Sequence, residues 1–122
     1  MPIPNNHPLD EARPHCHSAS IGGTPAAAYT SAPFRGIITK FGGVTGGTIT
    51  TANATVTVAV NGTTIGAFTI LLAGAAAGQL FSGVPTTYAL SQVNEDDVIS
   101  FTPAGASGAT IPGTFFAVIQ QA

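Results

Sequence analysis

The sequence predicts an all-β fold: an antiparallel β-sandwich of jelly-roll type, about eight strands, behind an extended proline-rich N-terminal arm. Three observations carry this expectation. Residues Ala54–Val60 (ATVTVAV) alternate strictly between apolar and threonine positions and run into Asn61-Gly62. That is a half-buried strand followed by the preferred dipeptide of a type I′ hairpin, in which both central residues need φ > 0. From Phe34 onward turn residues recur roughly every 8 to 12 positions, the spacing of a sandwich or small barrel. No stretch shows a sustained helical period with caps, and the abundant Gly and Thr are poor helix formers.

The elements follow in order. Residues 1–33 hold Pro2, Pro4, Pro8, Pro14, Pro25 and Pro33, most of the nine prolines, together with all three histidines. Proline lacks an amide donor and fixes φ, so the stretch reads as an extended arm laid on a neighbouring surface. Residues 34–122 form the sandwich domain. Its expected strands are Phe34–Phe41, Thr48–Thr51, Ala54–Val60, Thr63–Leu72 with a bulge near Gly66–Phe68, Gln79–Ser82, Thr86–Leu90, Asp97–Thr102 and Ile111–Gln120. Gly74–Gly78 is a connector, and Pro103–Thr110 is a loop.

Composition narrows the function. The chain has 122 residues, one domain's worth, with three Lys and Arg, five Asp and Glu, and a net charge of −2. Only 7% of residues are charged, against about 25% in an ordinary globular chain. No charge falls between Lys40 and Glu95. Interface cores are depleted in charge, so much of this surface is expected to face other subunits. With only Arg13, Arg35 and Lys40 basic, the footprint for nucleic acid is missing. No apolar run approaches the roughly 20 residues of a membrane span. The N-terminus lacks the basic and apolar regions of a secretory signal. A single cysteine, Cys16, rules out an intrachain disulfide.

The residues for catalysis are sparse. The strand domain has no histidine, and its only carboxylates are the consecutive Glu95, Asp96 and Asp97. A general acid–base pair needs groups on opposite sides of a bond, so no enzyme and no cofactor are expected. The three acids read as a polar turn, with calcium as the weaker alternative. His7, His15, Cys16 and His17 are weak metal candidates, since their spacing does not match a structural zinc site. Tyr29, Tyr88 and the phenylalanines offer a sugar-stacking platform, but Phe68, Phe101, Phe115 and Phe116 lie in strand patterns and are expected in the core. The paired threonines, such as Thr55 and Thr57, are expected to face outward from a sheet.

The order of the segments TTANATVTVAVNGTTI, GAAAGQLFSGVPTTYAL and VNEDDVISFTPAGASGA, closed by an apolar strand, resembles small virion proteins of tailed bacteriophages. That group includes jelly-roll-like decoration (cement) proteins and head-fibre bases; Gly-Asp is usual in it where this chain has Asp96-Asp97. The resemblance implies a structural virion protein that binds the outside of a capsid and reinforces subunit contacts. It implies the major capsid protein as partner, a homotrimer as the favoured unit, and assembly at the virion surface after synthesis in the host cytoplasm. In that reading the arm is the clamp, with Pro2, Pro4, Pro8, Pro14, Tyr29 and Pro33 on the capsid. The alternative is a receptor- or glycan-binding component of a head or tail fibre.

Overall fold

A computed structural model describes residues 11–22, 25–47, 49, 53–71, 78–86, 88–104 and 110–121, with the side chains of residues 88 and 89 excepted. Two antiparallel sheets face each other, as the alternation pattern requires. The first sheet runs β1 (Glu11–Ala12) and β2 (His15–Ser18), then β10 (Gly113–Gln121), β4 (Gly36–Thr45), and finally β7 (Leu80–Gly83) and β8 (Gln92–Val93). The second runs β3 (Ala28–Ser31), β9 (Val98–Ala104), β5 (Ala54–Val60) and β6 (Thr63–Ile70). The chain changes sheet after β2, β3, β4, β6, β8 and β9, which is jelly-roll connectivity.

The core lies between the sheets and follows the period of two. Val56, Val58, Ile65, Phe68, Ile70, Ile99 and Phe101 point inward from the second sheet; Ile38, Phe41, Phe115, Ala117 and Ile119 meet them from the first. Four phenylalanines bridge the layers. The Phe41 and Phe68 rings lie 6.0 Å apart, Phe68 meets Phe115 edge-on at 6.1 Å, and Phe115 stacks on Phe101 at 5.4 Å. Gly43 leaves room for this cluster, since a Cβ there would stand 2.6 Å from the Phe115 ring.

The β5–β6 hairpin forms as expected, with Asn61 at φ 49° and Gly62 at φ 88°. Its bulge falls where Val58 pairs with Gly66 and Ala59 with Thr64, so Ile65 is the extra residue. This is adjacent to the expected position.

Two expectations are corrected. The boundary at residue 33 does not separate an arm from a domain, because residues 11–18 and 28–31 are strands of the sandwich itself. β1 and β2 edge the first sheet along β10, and β3 edges the second along β9. Proline is tolerated at an edge, where one side of the strand needs no donor. Pro14 sits in the break between β1 and β2, and its carbonyl accepts the Ala117 N–H at 3.1 Å. The turn from β2 into the second sheet is fixed by buried serines: the Ser18 hydroxyl donates to the Ala26 carbonyl at 2.7 Å, and Ser20 bonds the Gly22 carbonyl. The second correction concerns Thr86–Leu90, which is not a strand. Tyr88–Ser91 form a short 3-10 helix ahead of β8. Expected residues 1–10, Thr48, Thr50–Thr51 and most of the Gly74–Gly78 and Pro103–Thr110 segments lie outside the described residues.

Candidate functional site

The two sheets turn different chemistry toward solvent. On the second sheet the outward rows follow from the register. Tyr29 pairs with Ser100, Ser100 with Ala59, and Ala59 with Thr64. The next row is Thr102, Thr57 and Ala67, and the next is Ala104, Thr55 and Thr69. No described residue on this outward face is charged. Threonine and serine hydroxyls stand among alanine methyls on this face, since threonine suits a pleated, half-buried surface. Tyr29 is the aromatic at its edge, 65% exposed, with Ser31 beside it on the same strand face. A ring so placed offers an apolar face and a hydroxyl tip at once.

The first sheet presents cations and another aromatic. Phe115 and Phe116 are neighbours on β10, so they face opposite ways; Phe115 is fully buried, and Phe116 is half-buried on the outer side. The expectation that Phe116 belongs to the core is therefore corrected. The guanidinium of Arg13 lies 5.9 Å from the Phe116 ring centre, within reach of a cation–π attraction. Arg13 also stands 3.8 Å from the Glu11 carboxylate, both exposed, a contact worth little in water. His15 pairs across from Phe116 and His17 from Thr114. Lys40 pairs with Val118 on the same outer side.

Strand alternation also separates the metal candidates. His15 and His17 are exposed on the outer face, while Cys16 turns inward against the core. Burial pushes the Cys16 thiol up to about 11. His7 lies outside the described residues. Among the described residues no group of three His, Cys, Asp or Glu is placed to hold a metal ion.

Of the expected capsid-contact residues, Pro14 sits at the edge of the first sheet, Pro33 in the exposed β3–β4 turn, and Tyr29 within β3. Pro2, Pro4 and Pro8 lie outside the described residues. The acidic turn is engaged in holding the fold. The Asp97 carboxylate accepts the Asn94 N–H at 2.8 Å and the Asn61 side-chain amide at 3.0 Å, while the Asn61 carbonyl oxygen accepts the Val98 N–H at 2.9 Å. The Asn94 and Asn61 hydrogen bonds hold the Asp97 carboxyl below its ordinary range.

Two cavities open near the start of β4. One, about 240 Å³, is lined by Arg35, Gly36, Ile37, Gln92, Val93 and Asn94. The other, about 270 Å³ and more apolar, lies between Ile37–Thr39 and Val84, Pro85 and Ser91.

No protein-family model and no curated protein matches this sequence. Among solved structures, the chain is similar to the Clostridium stercorarium module CsCBM6-3 in complex with cellobiose. The TM-score is 0.53 at 13% identity, over 83% of this chain and 70% of that one. It is also similar to part of a glycoside hydrolase family 43 arabinoxylan arabinofuranohydrolase from Bacillus subtilis in complex with cellotetraose. There the TM-score is 0.55 at 13% identity, over 98% of this chain but 23% of the hydrolase. The carbohydrate-binding module CBM36, in complex with calcium and xylotriose, aligns with a TM-score of 0.48 at 13% identity, over 81% of this chain and 74% of that one. At such identities the likeness is one of fold: a jelly-roll β-sandwich.

Proposed function

We propose that this chain is a non-catalytic glycan-binding module, the alternative that the sequence reading carried beside capsid decoration. One observation carries the proposal. Tyr29 stands largely exposed at the edge of a charge-free, hydroxyl-rich sheet face, in register with Ser100 and next to Ser31. A pyranose ring has an apolar C–H face and a rim of hydroxyls. The Tyr29 ring would stack on the first, and the serine and threonine hydroxyls would exchange hydrogen bonds with the second. Such sites combine a few aromatics with a few placed polar groups. The fold neighbours solved with cellobiose and cellotetraose support the reading. Capsid decoration gains no support from them, and part of its clamp, Glu11–Ala12, His15–Ser18 and Ala28–Ser31, forms strands of the sandwich.

The described carboxylates support a non-catalytic role. Glu11 edges the first sheet, and Glu95, Asp96 and Asp97 share one turn. The test is binding of the whole chain to insoluble cellulose, xylan and bacterial cell-wall glycans, measured by depletion from solution. We expect retention on at least one neutral glycan and loss of most of it in Tyr29→Ala, with the thermal melt unchanged. Retention equal in Tyr29→Ala and the parent would refute the Tyr29 face, and no retention on any glycan would refute the function.

A further inference from the structure

We infer that the polar cavity at the head of β4 is a second binding site, separate from the Tyr29 face, for an acidic group carried on a polysaccharide. The acidic group is a carboxylate or a sulfate, which share the same recognition chemistry.

The cavity holds about 240 Å³, room for roughly eight waters at about 30 Å³ each and ample for one acidic substituent. Arg35 reaches it from the turn before β4, and Gln92 and Asn94 reach it from β8 and the residue after it. Among the described residues no ion pair or hydrogen bond engages the Arg35 guanidinium. Arg35 borders a cavity whose lining also includes Gln92 and Asn94, and a guanidinium together with amide donors is the chemistry that binds a planar or tetrahedral oxyanion.

The placement of charge on the whole molecule points the same way. The chain owns three Lys and Arg, and all of them stand on this side. Arg13 lies over Phe116, Lys40 is paired with Val118, and Arg35 borders the cavity. The opposite sheet face has no charge among its described outward residues. The bulge between Val118 and Ile119 leaves Thr39 without a register partner on β10, and Lys40, paired with Val118, stands on the outer face beyond Ile37 and the exposed Thr39. A polymer acid seated at Arg35 can therefore continue past Lys40 toward Arg13.

The neighbouring acids do not close the cavity to an anion. Asp97 is tied to Asn94 and Asn61, and Glu95 and Asp96 are exposed at the turn tip, where the high dielectric of water weakens their repulsion of an anion. Nucleic acid is the less favoured polyanion, since three cations release too few counterions for useful affinity.

The experiment uses the whole chain against polygalacturonate, dextran sulfate, neutral dextran and duplex DNA, by titration calorimetry in low and high salt. We expect binding to polygalacturonate, to dextran sulfate, or to both, weakening as salt rises. The two polymers tell carboxylate from sulfate. Arg35→Gln should weaken binding on the order of 10-fold, and Lys40→Gln about two- to threefold. Tyr29→Ala should leave it unchanged. Arg35 is exposed, so its variant should melt as the parent does, and the melt is recorded to show it. The inference is overturned if neither acidic polymer binds, if Arg35→Gln binds as well as the parent, or if DNA binds with equal strength and the same Arg35 dependence. Failure here leaves glycan binding at Tyr29 standing, and failure of Tyr29 leaves this site standing.

Discussion

Phe115 and Phe116 are adjacent in sequence and chemically identical, yet their truncations should differ several-fold in cost. Phe115 is fully buried, stacked on Phe101 at 5.4 Å and edge-on to Phe68 at 6.1 Å. Deleting a buried phenylalanine ring costs about 3–5 kcal/mol, since the cavity left behind relaxes only in part. The site has little freedom to collapse, because the ring is held between two others and against Gly43. Phe116 is half-buried and touches the Arg13 guanidinium at 5.9 Å. Its truncation leaves no enclosed cavity and forfeits about half the burial plus an exposed cation–π contact, together about 1 kcal/mol. With a urea m-value of about 1.5 kcal/mol/M, Phe115→Ala should lower the midpoint by roughly 2–3 M and Phe116→Ala by less than about 1 M. A domain of this size has about 5–15 kcal/mol in all, so Phe115→Ala can leave too little to measure. Phe115→Leu, expected to cost about 1–2 kcal/mol, then serves as the graded probe beside Phe116→Leu, which should be near neutral. Equal midpoint shifts for the two positions, in either pair of variants, would refute the register of β10 that turns Phe115 into the core and Phe116 outward.

Other consequences follow from single groups. Asn61→Ala removes both side-chain bonds of the clasp to Asp97 and Val98 and places alanine at φ 49°; a loss of about 2 kcal/mol is expected by urea titration. Asp97 is held below its ordinary value of 3.8 by the Asn94 and Asn61 hydrogen bonds. The folded state therefore takes up this proton less readily than the unfolded chain. Its stabilisation is present above 3.8 and is lost as pH falls through the lower folded value. Asp97→Asn should flatten the stability curve below about pH 4, and an unchanged acid limb would remove Asp97 from the account. Burial raises the Cys16 thiol from 9.0 to about 11. At pH 8 its thiolate fraction should be about a hundredfold below that of the unfolded chain, and alkylation by iodoacetamide correspondingly slow until denaturant is added. The stability linked to this thiol is full below 9 and is lost as pH climbs from 9 through about 11.

The parts of the fold legible in sequence are those set by local physics. Ala54–Val60 and Asn61-Gly62 carry their strand and turn in the residues themselves, and the hairpin forms where they say. The edge strands β1 to β3 were hidden by Pro14, Pro25 and Pro33, because proline reports what a segment cannot donate and not which sheet edge will accept it. β8, only Gln92–Val93, is too short to show any period. The site was legible in part. The sequence offers Tyr29 only with Tyr88 and the phenylalanines as a sugar-stacking candidate and otherwise places it in the capsid-contact arm, and the hydroxyl rows beside it arise from pairings between residues some 40 to 70 positions apart, which no local pattern encodes. Phe116 was misplaced despite a signal in plain view. Two successive phenylalanines in one strand cannot both face the same core, so the tandem itself announces one outward ring.

The sparse chemistry of the Tyr29 face sets a limit on affinity and ties glycan binding to assembly. Each sugar hydrogen bond replaces one to water and contributes about 0.5–1.5 kcal/mol net. One aromatic and a few hydroxyls, after the cost of immobilising the ligand, leave about 4–5 kcal/mol, a dissociation constant near millimolar. A single copy would therefore hold a polysaccharide only briefly. Joining a few copies changes this without any new contact, since the second and third bind at an effective concentration set by their spacing. The low charge of the surface, with no charge among the described outward residues of one sheet, permits close approach of copies. The expected signature is a soluble tetrasaccharide that binds near millimolar and a glycan-coated surface that retains the protein at least a hundredfold more tightly at concentrations where copies associate. If surface and soluble affinities agree at every protein concentration, multivalency contributes nothing and the Tyr29 face must be supplemented by contacts outside the described residues.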